Sequence, residues 1–404
     1  MSLFNGKHIL LGVTGSIAAY KAADLASKLT QASAQVDVIL TTSAQKFVTP
    51  LTFQSVTGRK AYTDADLWGG EAHVLHVGLG HQADLLAIAP CTANTLAKLA
   101  QGLADTLLTV TALAAECPVL VAPAMDGGMY HAAATQENVR ILKERGVIFA
   151  GPGQGHLASG LTAEGRLLEP AEIMGHMRLI LGRNGKLAGK RIVVSAGGTQ
   201  EPIDPVRYLT NRSSGKQGYA LAQAALDAGA QVTLITHPTA LTAPIGAEMV
   251  KVLTAQNMLD AVLAACENAD GLVMAAAVAD FRVKHVAKDK LKKQDGLPRL
   301  ELEAAPDVLA ALAKARGSLE HLKVVVGFAA ESRDLAENAS AKLTSKKLDF
   351  IAANDISASD AGFAVDTNRI TLLYTDGRRE NLPLMSKDEA AEAIIERMAA
   401  LLEK

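Results

Sequence analysis

Cysteine is scarce in this chain, which contains only Cys91, Cys117 and Cys266 among 404 residues. These three are far apart, odd in number and without the short spacing of metal-ligand pairs, which argues against a disulfide framework and against a zinc site. Aromatic residues make up only 4% of the chain, whereas hydrophobic residues reach 49%. The composition therefore predicts a core of small aliphatic side chains, as in α/β proteins with closely packed helices.

A strong charge of either sign is also missing, since the formal net charge is -2 and the isoelectric point is near 6.6. The stretch 103–125 is the kind of apolar run that could span a bilayer, but Asp105, Glu116 and Pro118 interrupt it. We therefore expect no nucleic acid and no membrane among the partners, and any anion-binding site must be a local feature.

The first residues could be mistaken for a signal peptide, because Lys7 precedes the apolar run HILLGVTGSIAA. Removing that run would destroy a complete strand–loop–helix unit. We therefore expect a cytoplasmic location.

Short apolar strands alternate with helical patterns along nearly the whole chain, which is too long for one ordinary core. A connector rich in Gly, Asn and Lys near Asn184 predicts a boundary between domains at residues 1–184 and 185–404. This rhythm predicts an α/β protein with two doubly wound, Rossmann-like parallel-sheet domains.

The chain begins with a predicted strand at 8–15 and an amphipathic helix at 16–31, for which Ser16 is a suitable N-cap. This unit contains only Gly12 and Gly15 of the spaced glycines that mark dinucleotide-binding folds, so NAD is weakly indicated. Ser16 and the N–H groups after Gly15 can instead hold a single phosphate.

The most informative stretch is 191–218, RIVVSAGGTQEPIDPVRYLTNRSSGKQG, which joins a buried-type strand to a helix through a long polar loop. Such a loop at the carboxyl end of a parallel strand, followed by a helix N-terminus, suits a nucleotide or a phosphate. A long surface loop without a ligand is the alternative. It is less expected, because loops beyond about 12 residues are uncommon unless they are functional.

Two segments of the second half, AGGTQEPIDPVRYLTNRSSGKQG and AAAVADFRVKHVAKDKLKKQ, resemble the signatures of phosphopantothenate–cysteine ligases. The first half, with VTGSIAAYK, TTSA and PCTANT, resembles FMN-dependent phosphopantothenoylcysteine decarboxylases, a flavodoxin-like family that bacteria usually fuse to this ligase. The resemblance implies a bifunctional enzyme of coenzyme A biosynthesis that uses 4'-phosphopantothenate, L-cysteine and CTP.

For the decarboxylase half, the resemblance implies His76 as a catalytic residue, selected among neighbouring histidines by its register to Ala83-Asp84-Leu85. FMN would supply the oxidation that makes loss of carbon dioxide easy. The residues expected around FMN are Gly15, Ser16, Ile17, Thr42, Ser43, Thr92, Ala93 and Asn94.

Two positions depart from the decarboxylase pattern. Asp126 stands where the family has asparagine, and Ser159 stands where the flap at 151–166 has cysteine. In its ionised form, Asp126 would repel a substrate carboxylate. We therefore expect Asp126 to be protonated, turned away from the substrate or in contact with another group. Ser159 is a poorer proton donor than a thiol, so we expect a relay through His156 or a water. Both positions stay in the predicted catalytic set.

For the ligase half, the resemblance implies an acyl-cytidylate intermediate, with Lys290 stabilising phosphate charge, Asn211 holding the activated acyl group and Arg207 nearby. Mg²⁺ is expected as a second source of positive charge, with unknown protein ligands. The loop Ala305-Pro306-Asp307 lacks the first asparagine of the family's pattern. The residues expected to bind CTP are Ala276, Asp280, Lys290, Pro306, Asp307, Phe328, Lys342 and Lys346.

The family also implies a homo-oligomer, with ligase dimers and decarboxylase trimers. Two other functions remain open at this point. The chain could be a ligase whose first domain is a flavin prenyltransferase-like or scaffolding flavoprotein, which Asp126 and Ser159 motivate. It could also be a flavoprotein that regulates a partner, although the intact NRSSGK loop argues against this.

Overall fold

The computed structural model describes residues 3–69, 74–295, 298–331, 335–355 and 367–403. The chain divides into two compact units, Met1–Leu181 and Gly182–Lys404. This division lies close to the boundary that the sequence predicts near Asn184. In the part of the chain that the structure describes, no helix is long and apolar enough to cross a membrane.

The first unit alternates strands with helices. Its strands are β1 (His8–Val13), β2 (Gln35–Leu40), β3 (Ala61–Thr63), β4 (Leu85–Cys91), β5 (Val119–Pro123), β6 (Ile148–Phe149), β7 (Gly153–His156) and β8 (Thr162–Arg166). Its helices are α1 (Ala19–Gln31), α2 (Pro50–Thr57), α3 (Leu75–Gln82), α4 (Ala93–Gln101), α5 (Leu107–Ala114), α6 (Gly127–His131), α7 (Ala133–Glu144) and α8 (Pro170–Gly182).

Six strands of this unit form one parallel sheet in the order β3-β2-β1-β4-β5-β6. From β1 the chain continues outward through β2 to β3 at one edge of the sheet, and from β4 it continues through β5 to β6 at the other edge. The direction in which strands are added therefore reverses between β1 and β4. Ligands of open α/β sheets bind at this switch point, outside the carboxyl ends of the strands. The predicted doubly wound fold is confirmed for this unit.

Both faces of the sheet are covered, which explains why its strands are apolar throughout rather than alternating. Ile9 and Leu11 of β1 belong to one buried cluster, with Phe53 of α2. Leu10 points to a second cluster, with Leu108 of α5. Packing of helices on both faces thus fixes the position of the sheet and of the carboxyl ends of its strands.

The second unit repeats this plan. Its strands are β9 (Arg191–Ala196), β10 (Gln200–Pro202), β11 (Tyr208–Thr210), β12 (Gln231–Thr236), β13 (Glu248–Lys251), β14 (Gly271–Met274), β15 (Phe281–Val283), β16 (Leu302–Ala304), β17 (Val324–Glu331), β18 (Phe350–Asp355), β19 (Thr367–Asn368), β20 (Ile370–Tyr374), β21 (Arg379–Asn381) and β22 (Met385–Ser386). Its helices are α9 (Lys216–Asp227), α10 (Ala255–Cys266), α11 (Val308–Ala315), α12 (Leu335–Ser345) and α13 (Lys387–Leu402).

The main sheet has the order β13-β12-β9-β14-β17-β18-β20-β21. It is parallel from β13 to β18, and the winding reverses between β9 and β14. The strands β20 and β21 add an antiparallel edge that the sequence did not predict. The second unit is therefore doubly wound as expected, with a mixed sheet.

Three local expectations need correction. The first helix begins at Ala19 rather than at residue 16, and Ser16 lies in the turn before it. The glycine-rich flap contains an antiparallel hairpin, β7–β8. The long polar loop of the second unit contains another, β10–β11. Glycine and polar residues obscured the strand pattern in both segments.

Candidate active sites

A first cavity, of about 650 Å³, opens at the switch point between β1 and β4. Loops and helix N-termini that follow the carboxyl ends of the strands line it. From the predicted flavin set, its lining includes Gly15, Ser16, Thr42, Ser43, Thr92, Ala93 and Asn94. Ile17 comes next in sequence but is 60% exposed.

The loops after β1 and β2 approach each other very closely at this cavity. A Cβ on Gly15 would lie 2.4 Å from the Cβ of Ser43, so only glycine fits there. Ser16 Oγ accepts a hydrogen bond from Ala18 N at 3.2 Å, and Thr92 Oγ1 caps α4 by accepting one from Thr95 N at 3.3 Å. The turn before α1 and the N-terminus of α4 thus reach the same cavity, where the partial positive charge at the start of α4 suits an anion.

Sequence reasoning missed a large part of the wall, which is rich in hydroxyl groups. Asp64 organises it, because one carboxylate oxygen accepts from Thr42 Oγ1 at 2.8 Å and the other from Leu107 N at 3.0 Å. These contacts bring α5 to the site from a segment with no recognisable motif. The additional lining residues are Thr14, Thr41, Asp64, Thr95, Lys98, Thr106, Thr109, Ala124, Met125 and Met129.

His76 does not belong to this lining. It lies in the first turn of α3 and is half-buried. Its neighbour His73 lies outside the described residues. Within one chain, the structure therefore does not bring the predicted catalytic histidine to the cavity.

Asp126 and Ser159, the two residues that depart from the decarboxylase pattern, contact each other. Ser159 Oγ donates a hydrogen bond to Asp126 Oδ2 at 2.7 Å, and Asp126 Oδ1 accepts from Gly128 N at 2.9 Å as the N-cap of α6. The hydrogen bond from Ser159 and that from Gly128 lower the pKa of Asp126 below its usual value. Of the states open to Asp126 at the sequence level, the structure supports an ionised carboxylate in contact with another group.

A second cavity, of about 760 Å³, opens at the switch point between β9 and β14. The segments 211–218, 274–280 and 304–309 form most of its wall. From the predicted ligase residues, its lining includes Asn211, Ala276, Asp280, Pro306, Asp307, Phe328, Lys342 and Lys346.

Two lysines of α12 extend along one side of this cavity. Lys346 Nζ lies 2.5 Å from Asp307 Oδ2, and Lys342 Nζ donates to the carbonyl oxygen of Phe328 at 2.8 Å. Asp307 also caps α11 by accepting from Ala310 N at 2.9 Å. Burial raises the pKa of Asp307, but the hydrogen bonds from Lys346 and from Ala310 N and the charges of Lys346 and Lys342 together lower it below its usual value, which favours an ion pair with Lys346.

The polar loop predicted from the sequence leads into the first turn of α9, and both line this cavity. Gly215 precedes α9 with a φ of 79° and no side-chain cap, and it lines the cavity together with the first residues of the helix. Asn211 Nδ2 donates to the carbonyl oxygens of Ala277 at 2.9 Å and Val278 at 3.3 Å. One cavity is thus lined by two lysines and by a helix N-terminus without a side-chain cap, and this set of groups is suited to phosphate.

Lys290 and Arg207 lie elsewhere, around a separate open hollow that they form with Leu291, Lys292, Lys293 and Gln294. Arg207 donates to Asp204 at 2.9 Å and 2.5 Å and to the carbonyl oxygen of Leu291 at 2.7 Å. The hydrogen bonds from Arg207 lower the pKa of Asp204. Arg207 thus anchors the lysine segment, and neither Lys290 nor Arg207 lines the second cavity of its own chain.

A chain of amides that the sequence did not indicate completes the second cavity. Asn354 Nδ2 donates to Asn368 Oδ1 at 3.3 Å, and Asn368 Nδ2 donates to Gln217 Oε1 at 2.6 Å. Gln217 Nε2 donates to the carbonyl oxygen of Lys387 at 3.2 Å. These residues come from four separate segments, so no local pattern could have grouped them.

Among the described residues, no group of three or more His, Cys, Asp or Glu is arranged to hold a metal ion.

Comparisons with known proteins divide the chain in the same two parts. A family profile described as "Flavoprotein" matches residues 3–178, and one described as "DNA/pantothenate metabolism flavoprotein C-terminal domain" matches residues 187–402. Each proposed half therefore matches a separate profile.

Full-length relatives match over almost the whole chain. The "Coenzyme A biosynthesis bifunctional protein CoaBC" of Bacillus subtilis (strain 168) is 44% identical over 402 residues, which cover 99% of this chain and 98% of the relative. The protein of the same name from Mycobacterium tuberculosis (strain ATCC 25618 / H37Rv) is 45% identical over 408 aligned residues, covering 98% and 97%.

Solved structures resemble each half separately. The C-terminal domain of a CoaBC protein shares 39% identity, with a TM-score of 0.47, and covers 54% of this chain and 98% of its own. A mutant PPC decarboxylase complexed with pantothenoylaminoethenethiol shares 37% identity, with a TM-score of 0.41, and covers 43% of this chain and 98% of its own.

Proposed function

The chain belongs to the family of bifunctional coenzyme A biosynthesis proteins CoaBC, and from this premise we propose how its two cavities divide the reaction. It is an enzyme with a flavoprotein half and a ligase half. In our proposal the second cavity joins 4'-phosphopantothenate to L-cysteine at the expense of CTP. The first cavity then decarboxylates the product, 4'-phosphopantothenoylcysteine, to 4'-phosphopantetheine.

In the ligase step, a carboxylate oxygen of 4'-phosphopantothenate attacks the α-phosphorus of CTP, and pyrophosphate leaves. The amine of L-cysteine then attacks the acyl carbon, an amide forms and CMP leaves. Two anions must meet in the first step, so positive charge is needed. The observation that carries this assignment is that Lys342, Lys346 and the first turn of α9 line the same cavity.

We assign the triphosphate to this space and the acyl group to the side of Asn211. Mg²⁺ would be held mainly through phosphate oxygens and water, as is common for this ion, because Asp280 and Asp307 are the only carboxylates among the described lining residues. Asp307 is already paired with Lys346. Asp280 is therefore the side chain best suited to reach the ion or the nucleotide ribose.

In the first cavity, the donor set fits a flavin mononucleotide. The hydroxyls, the turn before α1 and the N-terminus of α4 suit phosphate and ribityl groups. The close approach at Gly15 leaves no room for a side chain, and Met125 and Met129 offer apolar surface to a ring. Bound there, FMN would supply the oxidation and return of two electrons that eases loss of carbon dioxide. The chain's own residues bind and orient the cofactor and the substrate.

We further propose that the enzyme works as a homo-oligomer in which a second copy completes each cavity. His76 and Lys290 lie outside the cavities of their own chain. Exposed apolar side chains occur in both units: Ile17, Tyr20, Phe47 and Leu51 in the first, and Val206, Tyr208, Phe281 and Leu302 in the second. Exposed apolar groups of this kind commonly mark contacts between subunits.

The test is to incubate the purified protein with 4'-phosphopantothenate, L-cysteine and CTP, and to follow pyrophosphate and carbon dioxide separately. We expect both products and a yellow protein, and His76→Asn should abolish carbon dioxide release while pyrophosphate release continues. Pyrophosphate without carbon dioxide in the wild-type protein would indicate the ligase-only alternative. A colourless protein that does not respond to added FMN would contradict the flavin assignment.

A further inference from the structure

The hairpin β7–β8 is attached to the wall of the first cavity at its base. Met125 N donates to the carbonyl oxygen of Gly165 at 3.0 Å. A Cβ on Gly165, whose φ is 136°, would lie 2.3 Å from Met125 O, and a Cβ on Gly127 would lie 2.9 Å from Ala163 and from the carbonyl oxygen of Glu164. Since Met125 lines the cavity, the base of the hairpin and the cavity wall form one packed structure.

The tip of the hairpin has a different attachment. Leu157 N donates to Leu161 O at 2.8 Å and Gly160 N donates to Leu157 O at 2.9 Å, which closes the turn around Ser159. Ser159 is exposed, and its hydroxyl donates to Asp126, which is 33 residues earlier in the chain. This side-chain bond connects the turn to the residue between cavity-lining Met125 and α6.

The two carboxylate oxygens of Asp126 accept hydrogen bonds from different segments. Oδ1 caps α6, the short helix that carries cavity-lining Met129, and Oδ2 accepts from the hairpin tip. The bond has a charged acceptor, which makes it stronger than one between neutral groups. The same carboxylate thus orders two neighbouring parts of the wall.

We propose that Asp126 and Ser159 act as one pair of positioning residues, which fixes the hairpin tip against α6 and so shapes the part of the first cavity that contacts the substrate. Neither residue needs to transfer a proton in this role. The proposal rests on the proposed function only for its kinetic consequence, since the contact itself can be tested without turnover.

The structural test is hydrogen exchange of the amides of Leu157 and Gly160 in the flavin-loaded full chain. Ser159→Ala removes the donor, and Asp126→Ser removes the second oxygen while keeping a residue that can cap α6. Each variant should speed exchange at the tip by roughly tenfold, as expected for the loss of a hydrogen bond to a charged group. The double variant should exchange no faster than either single variant, because both changes remove one contact.

The kinetic test uses 4'-phosphopantothenoylcysteine as the substrate. Ser159→Ala should raise KM about three- to tenfold with kcat and FMN affinity nearly unchanged, and Ser159→Thr, which keeps a hydroxyl, should restore KM. Thr162→Val is the matched control, because it removes an exposed hydroxyl from the same hairpin. It should alter neither exchange nor KM.

Unchanged exchange in Ser159→Ala, or additive effects in the double variant, would overturn the pairing. A large fall in kcat with unchanged KM would instead make Ser159 a participant in the chemistry and also overturn the proposal. If the protein shows no decarboxylase activity at all, the proposed function fails, while the exchange result still decides whether the pair exists.

Discussion

Two lysines of the second cavity form hydrogen bonds that fix the positions of their ammonium groups. Lys346 is paired with Asp307, and Lys342 is bound to the carbonyl oxygen of Phe328. A long flexible side chain that is already oriented loses less conformational entropy when a phosphate binds. This preorganisation is the reason to expect a large effect from a single lysine.

Lys346→Gln should raise KM for CTP by roughly tenfold or more, because a hydrogen bond between charged groups commonly contributes about 1.5–3 kcal/mol. Pyrophosphate release at varied CTP measures this directly. Lys314→Gln is the matched control, since Lys314 is an exposed lysine of the neighbouring helix α11, and it should leave KM unchanged. An unaltered KM in a folded Lys346→Gln variant would remove Lys346 from the nucleotide site.

At the amino end of the first sheet, His8 and Arg59 both contact Asp37. The hydrogen bond to Asp37 raises the pKa of His8 above its usual 6.5. Burial would raise the pKa of Asp37, but hydrogen bonds from His8 and Arg59 bring it down to about 2. Asp37 therefore stays ionised at neutral pH, and only His8 titrates there.

Because the pKa of His8 is raised in the folded state, its protonation stabilises the fold fully below the unfolded value and less as pH rises through the folded value. We expect His8→Gln to lower the melting temperature of the first unit more at pH 6 than at pH 8.5. Scanning calorimetry at both pH values measures this, with His321→Gln, an exposed histidine of the second unit, as the control. An equal loss at both pH values would show that the pair does not depend on the charge of His8.

Elements position both cavities through close contacts that require glycine. Gly218 lies in the first turns of α9 and faces β9, where an added Cβ would lie 2.4 Å from the Cβ of Ala196. Gly78, in α3, has nothing within 4 Å of an added Cβ. The two positions are both helical, but only the first is enclosed by a neighbouring strand.

Gly218→Ala should therefore lower the free energy of unfolding of the second unit by about 1–3 kcal/mol, because overpacking outweighs the better helix propensity of alanine. It should also weaken CTP binding, since α9 would shift away from β9. Gly78→Ala should have the opposite sign and stabilise the first unit by up to about 1 kcal/mol. Urea unfolding of both variants tests this, and stabilisation by Gly218→Ala would show that the contact is looser than described.

At the scale of the whole molecule, Lys290 is the residue whose predicted role depends on assembly. The structure holds it around a hollow with Arg207, apart from the second cavity of its own chain. If a second copy supplies Lys290, a mixture of two inactive variants can contain an intact site. If Lys290 acts only within its own chain, no mixture can.

Lys290→Gln and Asn211→Asp should each lose most of the ligase activity, since one such group is commonly worth a hundredfold or more in rate. Mixed and allowed to exchange subunits as a dimer, they should recover about a quarter of the wild-type rate, because half of the dimers carry both variants and each of these has one intact site. Mixed and unmixed samples of equal concentration provide the comparison. No recovery, despite demonstrated subunit exchange, would mean that Lys290 acts in its own chain.

The layered architecture could be predicted from the order of apolar and amphipathic segments in the chain. Apolar strands alternating with amphipathic helices can bury both faces of a sheet in few ways, so runs such as 8–15 and 191–196 were sufficient to predict two doubly wound units. The sequence also indicated the loops that line both cavities, because those loops are continuous segments at strand ends. These features depend on interactions within a few residues, which a local pattern records.

Contacts between residues that are distant in sequence could not be predicted in this way. Asp126 and Ser159 were each unexplained in the sequence, and their contact depends on the docking of a hairpin that its glycines concealed. Gln217 and Asn368 meet across 151 positions, while Lys290, expected in the second cavity, lies outside it. Such contacts are fixed by sheet order and by the packing of whole elements on one another, and these are properties of the folded chain that no local run of residues specifies.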